Sequence, residues 1–540
     1  MELLALGMFG VFLAGILCHH GIFIRNEWHI KSSLIVKLHI CIAVVHLLAN
    51  CYWNTIATSL TMTAIATILY ALGLFGSIVI YRAYFHRLRH FPGPRLAGIT
   101  KFWHVWKCRT GQNHLVLEKL YRQYGPFIRT GPEELTVVDP EVLLTVNAAR
   151  SRCTKSPWYD FLHPQSAINT TRNIKDHDRR RHIWDRGFNK PAIAIYESSI
   201  VECTERISRK ISRLAESGSA VNVTEWCTRF AFDVMGEFVF ARSFGTLEHE
   251  QWRSAAARLK QSMRLLGPLS PVPWVARVAF DMIPWMVPSV RDWLYMVEWC
   301  KDRMHERVET KVDRPDVFHW LIEASLKEGS AEANHTRLGG DSIAAVVAGT
   351  DPVASTLIFA FYELARNPSH QLKLYTEVQD VNTYDFGVLE ECVHLNAVIQ
   401  ETLRLHPAVP TGGYRQSPPE GVVINGTYVP GGITIVAPRY SISRLESCYE
   451  DADKFIPERW STSTELVKDV RAFAPFARGR YGCVGKGIAM RELRIIIASL
   501  VRGFEIEMEH VDAGKSLFAE SRDQFTVNAS DLVLQFKIRK

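Results

Sequence analysis

Hydrophobic and polar positions divide the chain in two. Residues 3 to 18, LLALGMFGVFLAGILC, are apolar and continue through GIFI to Arg25. Arg25, Glu27 and Lys31 follow, and no Asp, Glu, Lys or Arg then occurs from Leu38 to Tyr81. As one helix that stretch would reach roughly 66 Å, about twice the apolar thickness of a bilayer. It must fold back, and NCYWNT, Asn50 to Thr55, is its most polar point. The pattern predicts three membrane spans, near 3–24, 34–52 and 60–81. A leading Glu2 and the lack of a small-residue cut site argue against a cleavable signal. Arg25, Lys31 and Lys37, read as the first loop, and Arg82, Arg87 and Arg89 after the third run carry the basic charge. The positive-inside rule therefore puts the first loop and the long C-terminal part in the cytosol.

HFPGPRLAG, His90 to Gly98, closes this part, because two prolines around a glycine stop a helix. The expected organisation is a membrane anchor, 1–90, and one large domain, 91–540. Within the domain apolar residues recur at three-to-four spacing. They predict helices over 113–124, 140–150, 173–190, 193–215, 223–242, 250–265, 289–309, 340–366, 367–380 and 389–405. Strand-like stretches are short and late: GVVINGTYVPGGITIVAP (421–438), with VPGG as the expected hairpin turn, and DLVLQFKIR near the end. The fold class is mainly α with a minor β-sheet portion.

Composition narrows the function. The 540 residues are 47% hydrophobic and 22% charged with a net charge of +7, and no basic helix or aromatic–basic alternation suggests nucleic acid. The 11 cysteines include no CxxC pair and read as reduced thiols rather than a disulfide framework.

One cysteine stands apart. In RAFAPFARGRYGCVGKGIAM (471–490), Cys483 lies between Gly482 and Gly485, with a helical pattern starting near Lys486. A lone cysteine is commonly a small core residue. A phosphate loop fails on spacing, since Arg480 and Gly487 stand where Gly and Ser or Thr are needed. The third reading is a thiolate metal ligand. Three distant stretches bear on it: ETLRLHP, with Glu401 and Arg404 three apart; FIPERW, with Arg459; and VVAGTDPVAST (346–356), an apolar helix interrupted by Gly349, Asp351 and Pro352.

In this order and spacing the segments resemble the cytochrome P450 family of haem-thiolate monooxygenases. Phe476, Gly479, Cys483 and Gly485 match its F-x-x-G-x-x-x-C-x-G loop, and Glu401, Arg404 and Arg459 its Glu–Arg–Arg cluster. The resemblance covers the chain after residue 90 and is nearest to fungal secondary-metabolism members. It implies a P450 fold behind a transmembrane anchor, haem b as cofactor, and Cys483 as axial iron ligand with Phe476 and Gly485 beside it. His177, Arg181, Arg415 and Arg480 are the implied haem-binding residues. It also implies a small hydrophobic substrate and the endoplasmic reticulum membrane as location. NADPH–cytochrome P450 reductase and cytochrome b5 are the expected partners, because no flavin or nicotinamide fingerprint occurs here.

Two positions depart from the family. Tyr481 occupies the place of an arginine two residues before the cysteine. Pro352 replaces the threonine that follows the acidic residue, and neither it nor Val353 can donate a proton. Asp351 and Thr350, holding water in the proline kink, are the expected catalytic pair. The loss keeps two alternatives open: a P450 that rearranges, dehydrates or couples its substrate, and a non-catalytic haem-binding sensor.

Overall fold

The apolar runs at the start fold into three helices, α1 (Glu2–Cys18), α2 (Ser32–Cys51) and α3 (Ile56–Ile80). One π-helical turn prolongs α1 (His19–Phe23) and another α3 (Tyr81–Phe85). With these turns all three are long and apolar enough to cross a membrane. Thr55 caps α3 by accepting the Thr58 N–H, so the chain reverses in its polar stretch. α1 and α3 meet backbone to backbone. A Cβ at Gly15 would stand 2.3 Å from the Tyr70 carbonyl oxygen, and one at Gly73 2.1 Å from that of Phe12, an approach that small residues permit. Histidines inside the spans are paired: His39 with the Tyr70 hydroxyl at 3.1 Å, His46 with Thr63 at 2.9 Å and His19 with Ser77 at 2.8 Å. Lys37 lies not in the first loop but inside α2, on an exposed face near its start. The helix begins at Ser32, and a long lysine stem reaches the interface from there.

The computed structural model describes residues 2–250, 252–312, 315–327, 331–510 and 513–539. Beyond residue 90 the helices that frame the site are α4 (Ile174–Gly187), α5 (Val223–Phe240), α6 (Arg253–Ser262), α7 (Pro273–Met282), α8 (Ala331–Arg366), α9 (Val393–Leu405) and α10 (Lys486–Gly503). α8 runs through the main core with Pro352 inside it and packs along α5. Its apolar stretch is long enough to span a bilayer, yet 72% of it is buried in the protein. It starts at Ala331, ahead of the expected 340, and the helix expected over 389–405 breaks at Cys392. α7 and the helices Val317–Lys327 and Ala513–Glu520 lie outside the predicted set.

Strands are not confined to the end of the chain. β1 (Phe127–Gly131), β2 (Glu134–Val137), β3 (Thr154–Lys155), β4 (Tyr414–Gln416) and β5 (Thr434–Val436) form a sheet in the order β1-β2-β5-β4-β3. β2 and β5 are parallel and the other pairs antiparallel. Register sets Lys155 directly opposite Arg415, so both side chains leave one face. The hairpin predicted over 421–438 turns at Asn425–Gly426, with φ of 43° and 73°, and not at VPGG. A two-residue turn needs positive φ at both centres, which Asn-Gly supplies. A second hairpin, β6 (Arg522–Gln524) and β7 (Thr526–Asn528), folds around Phe525.

Candidate active site

The cysteine loop is shaped by its glycine. Gly479 has φ +61°, and a Cβ there would stand 1.9 Å from the Asn147 carbonyl oxygen, so no other residue fits. The Cys483 N–H donates to the Phe476 carbonyl at 2.8 Å, closing the loop. The Cys483 sulfur opens onto a cavity of ≈ 360 Å³ that Phe476, Gly485 and Phe188 also line. Burial pushes its thiol up, while the Gly485 and Lys486 N–H groups and the charges of Arg181 and Arg439 pull it back. Those amides belong to the start of α10, where unpaired donors favour an anion.

Cations gather on the same cavity: Lys155, Arg181, Arg415 and Arg439, with His177 beside them. Arg181 Nη1 donates to the Gly482 carbonyl at 2.5 Å and so braces the cysteine loop. Arg415 is held by Asn147 Oδ1 at 3.0 Å and lies over the Tyr481 ring, 4.4 Å from its centroid. His177 stands edge-on to that ring. Burial, then the Lys155 charge, lowers it to about 4, so at neutral pH it is a neutral donor rather than the expected cation. Arg480 does not line the cavity; its guanidinium turns to Asp178 and the Ala149 carbonyl, and Tyr481 faces inward instead. The Tyr481 substitution thus removes a cation from this face without Arg480 replacing it.

Lys155 and Arg439 escaped the sequence reading. Lys155 Nζ donates to the Ile168 carbonyl at 2.6 Å, and burial holds its amine well below the usual value. No hydrogen-bond partner of the Arg439 guanidinium is found among the described residues, although burial lowers it to about 10. The only signal for Lys155 is its strand pairing with Arg415; Arg439 carries none. Glu492 is the one carboxyl lining the cavity among the described residues, and burial pushes it well above the usual carboxylate range.

α8 contributes Ala344, Ala348, Gly349, Pro352, Val353 and Thr356 to the cavity wall. Pro352 lacks an N–H and so leaves the Ala348 carbonyl without its helical donor. Neither expected catalytic residue shares this wall. Thr350 is fully buried with its hydroxyl unpaired among the described residues. Asp351 faces away, onto a small second cavity of ≈ 20 Å³ that Lys260 and Ser355 also line. Water held jointly by Asp351 and Thr350 is therefore not what the geometry offers.

Comparison with known proteins decides the family. The cytochrome P450 family model matches residues 92–536. The chain belongs to the cytochrome P450 family. It is 32% identical over 545 residues to a cytochrome P450 monooxygenase of Fusarium pseudograminearum, covering 98% of this chain and 97% of the relative. It is 34% identical over 469 residues to one of Eupenicillium brefeldianum, covering 87% and 95%. Tryprostatin B 6-hydroxylase of Aspergillus fumigatus is 33% identical over 514 residues, covering 93% and 91%.

P450s bind haem, and the residues present fit one. A soft sulfur donor faces a large cavity, the Arg439 guanidinium on its wall has no hydrogen-bond partner among the described residues, and the cations there outnumber the single carboxyl, Glu492. The P450 scaffold behind the loop is equally complete. Glu401, Arg404 and Arg459 are all buried. Arg404 grips Glu401 with two bonds of 2.8 Å, Arg459 adds one of 2.9 Å and the Trp460 indole one of 2.8 Å. Both arginines also donate to backbone carbonyls between Ser443 and Lys454. Burial alone would raise the Glu401 carboxyl; Arg404 and Arg459 hold it below the usual range.

Proposed function

We propose that this P450 is a membrane-anchored haem-thiolate monooxygenase that inserts one oxygen atom from O2 into a hydrophobic natural product. Electrons come from NADPH through NADPH–cytochrome P450 reductase, with cytochrome b5 as a second donor. The single observation that carries the reading is the Cys483 sulfur, capped by two N–H groups and facing a large cavity with cations on its wall. Haem b held there by Cys483 supplies the oxygen-activating chemistry, with the thiolate favouring O–O cleavage. Arg415 and Arg439 would offer charge to its propionates, and Lys155 and His177 N–H donors. Arg181 fixes the loop that carries the sulfur, and Phe476 shields the sulfur from water.

The rest of the cavity is apolar and aromatic, with Trp158, Phe161, Phe238, Trp293 and Phe525 on its wall. Such a lining suits a planar, apolar substrate. Similarity to a tryprostatin B hydroxylase supports fungal secondary metabolism as its setting.

The anchor reading is three spans in the endoplasmic reticulum membrane, with the catalytic domain, 91–540, in the cytosol. The first loop supports it. Glu27 accepts two bonds from Arg172, at 2.6 and 2.7 Å, and His29 meets Asp160 at 2.8 Å. These contacts support a first loop on the same side as the domain, in agreement with its basic charge.

A carbon monoxide difference spectrum of the reduced protein, followed by turnover with reductase and NADPH, tests the proposal. The expected results are a thiolate-type spectrum and a product heavier by one oxygen. A second reading, rearrangement, dehydration or coupling, is favoured by Pro352 and Val353 on the cavity wall; a product without added oxygen establishes it. Haem binding with no NADPH consumption on any substrate would leave a sensor.

A further inference from the structure

Of the hydroxyl groups around Pro352, one joins an acid to the main cavity. Thr350 opens onto neither cavity. Ser355 lines the small cavity, and Thr356 the main one, but both donate to the Pro352 carbonyl, at 3.2 and 2.7 Å. Thr526 lines the main cavity and donates to Asp351 Oδ2 at 3.1 Å. It comes from β7, 175 residues beyond Asp351 in the chain. The hairpin is built to hold it there. Phe525, at its tip, has φ +74°, a rare and costly conformation for so bulky a residue. Its ring stacks on Trp158 with centroids 4.8 Å apart, and the Val527 N–H bonds the Ala408 carbonyl at 2.9 Å.

We propose that Thr526 replaces the hydroxyl lost at Pro352 and passes protons from Asp351 into the main cavity; the inference rests on the monooxygenase reading. In each pass protonated Asp351 turns that bond round and donates to the Thr526 oxygen, while the Thr526 hydroxyl turns to an acceptor in the main cavity; the hydroxyl proton leaves to that acceptor and the Asp351 proton replaces it. Asp351 is reloaded from the small cavity, which has room for about one water. One proton thus enters from solvent and no electrons move. Burial raises the Asp351 carboxyl to about 6, within reach of neutral pH, and the Thr526 bond and the Lys260 charge moderate that rise. Lys260, from α6, is the other charged group lining the small cavity among the described residues. Its Nζ donates to the Ala529 carbonyl at 3.1 Å.

The test compares Thr526→Val, Thr526→Ser and Asp351→Asn as full-length haem-loaded proteins. Infrared difference spectra against Asp351→Asn isolate the carboxyl band of Asp351 and follow its titration. Thr526→Val is expected to raise that midpoint by roughly one pH unit, the worth of one hydrogen bond. It should also slow product formation by about 10²-fold, with haem content unchanged; Thr526→Ser restores both. An unmoved midpoint or unchanged turnover in Thr526→Val overturns the relay, and harmless Asp351→Asn does so too. Failure of the underlying reading looks different: the wild-type protein itself would lack the thiolate–carbon monoxide spectrum.

Discussion

In the proposed reading Cys483 carries the chemistry because the Gly485 and Lys486 N–H groups and the Arg181 and Arg439 charges favour its thiolate. Replacing it with serine removes the soft donor while keeping the loop's shape, so the Ser variant should show no thiolate–carbon monoxide spectrum and no product. A Ser variant that kept both would end the haem-thiolate reading. Asp351 gives a second test at this scale, one that needs no turnover. Its folded value of about 6 lies above the ordinary 3.8, so the native state binds more protons than the unfolded chain between those values. The Asp351 contribution to stability must then fall as pH rises from about 4 to 6. Denaturant titrations should show that fall in the wild type relative to Asp351→Asn, and equal slopes would show an unperturbed carboxyl. Single residues were legible in the sequence where the motif is contiguous, as from Phe476 to Gly485. Lys155 and Thr526 were not, because strand register and hairpin folding bring them to the cavity, nor was Arg439, which reaches it from the start of the short helix Arg439–Ile442.

Elements divide in the same way. Long periodic helices were legible, and the three apolar N-terminal runs correspond to α1, α2 and α3. β3, β4 and β5 have only two or three residues each, too few for alternation to register. At this scale the Glu–Arg–Arg cluster is the strongest tie, joining α9 to the stretch from Ser443 to Trp460. Glu401→Ala leaves two buried guanidinium groups without their anion, at a cost of about 3–5 kcal/mol. Little holoprotein should accumulate in cells, measured as haem absorbance per mass of purified chain. Normal haem loading would show that the cluster is dispensable. Its low carboxyl value also makes it acid-sensitive: the stability it gives is present above the ordinary carboxylate range and is lost as pH falls through the folded value.

Across the whole molecule, the three spans make a topological claim that glycosylation tags can check. In the proposed three-span arrangement a tag at the N-terminus or between Asn50 and Thr55 is expected on the lumenal side, whereas with a single span only the terminal one is. With spans at α1, α2 and α3, the terminus is lumenal, the Arg25–Lys31 loop cytosolic, the Asn50–Thr55 turn lumenal and everything after Arg89 cytosolic. Modification at the first and third sites alone is expected, and a modified tag after Arg89 would overturn it. The contact between loop and domain has a practical consequence for making the protein. α2 is seated on α7, with the Ser32 hydroxyl on the Trp274 carbonyl and that of Ser33 on Asp281, at 3.1 and 2.7 Å. Around that seat the domain exposes Phe102, Trp106, Trp274, Trp285 and Met286. A chain begun after residue 90 would keep this apolar belt while losing the Glu27 partner of Arg172 and the cover of α2. Deleting the anchor should therefore yield a protein that self-associates without detergent, visible as a high-mass peak in size-exclusion chromatography. Polar replacements at Trp285 and Met286 should return it to a monomer, so solubility here is a matter of repainting one patch rather than of cutting off the spans.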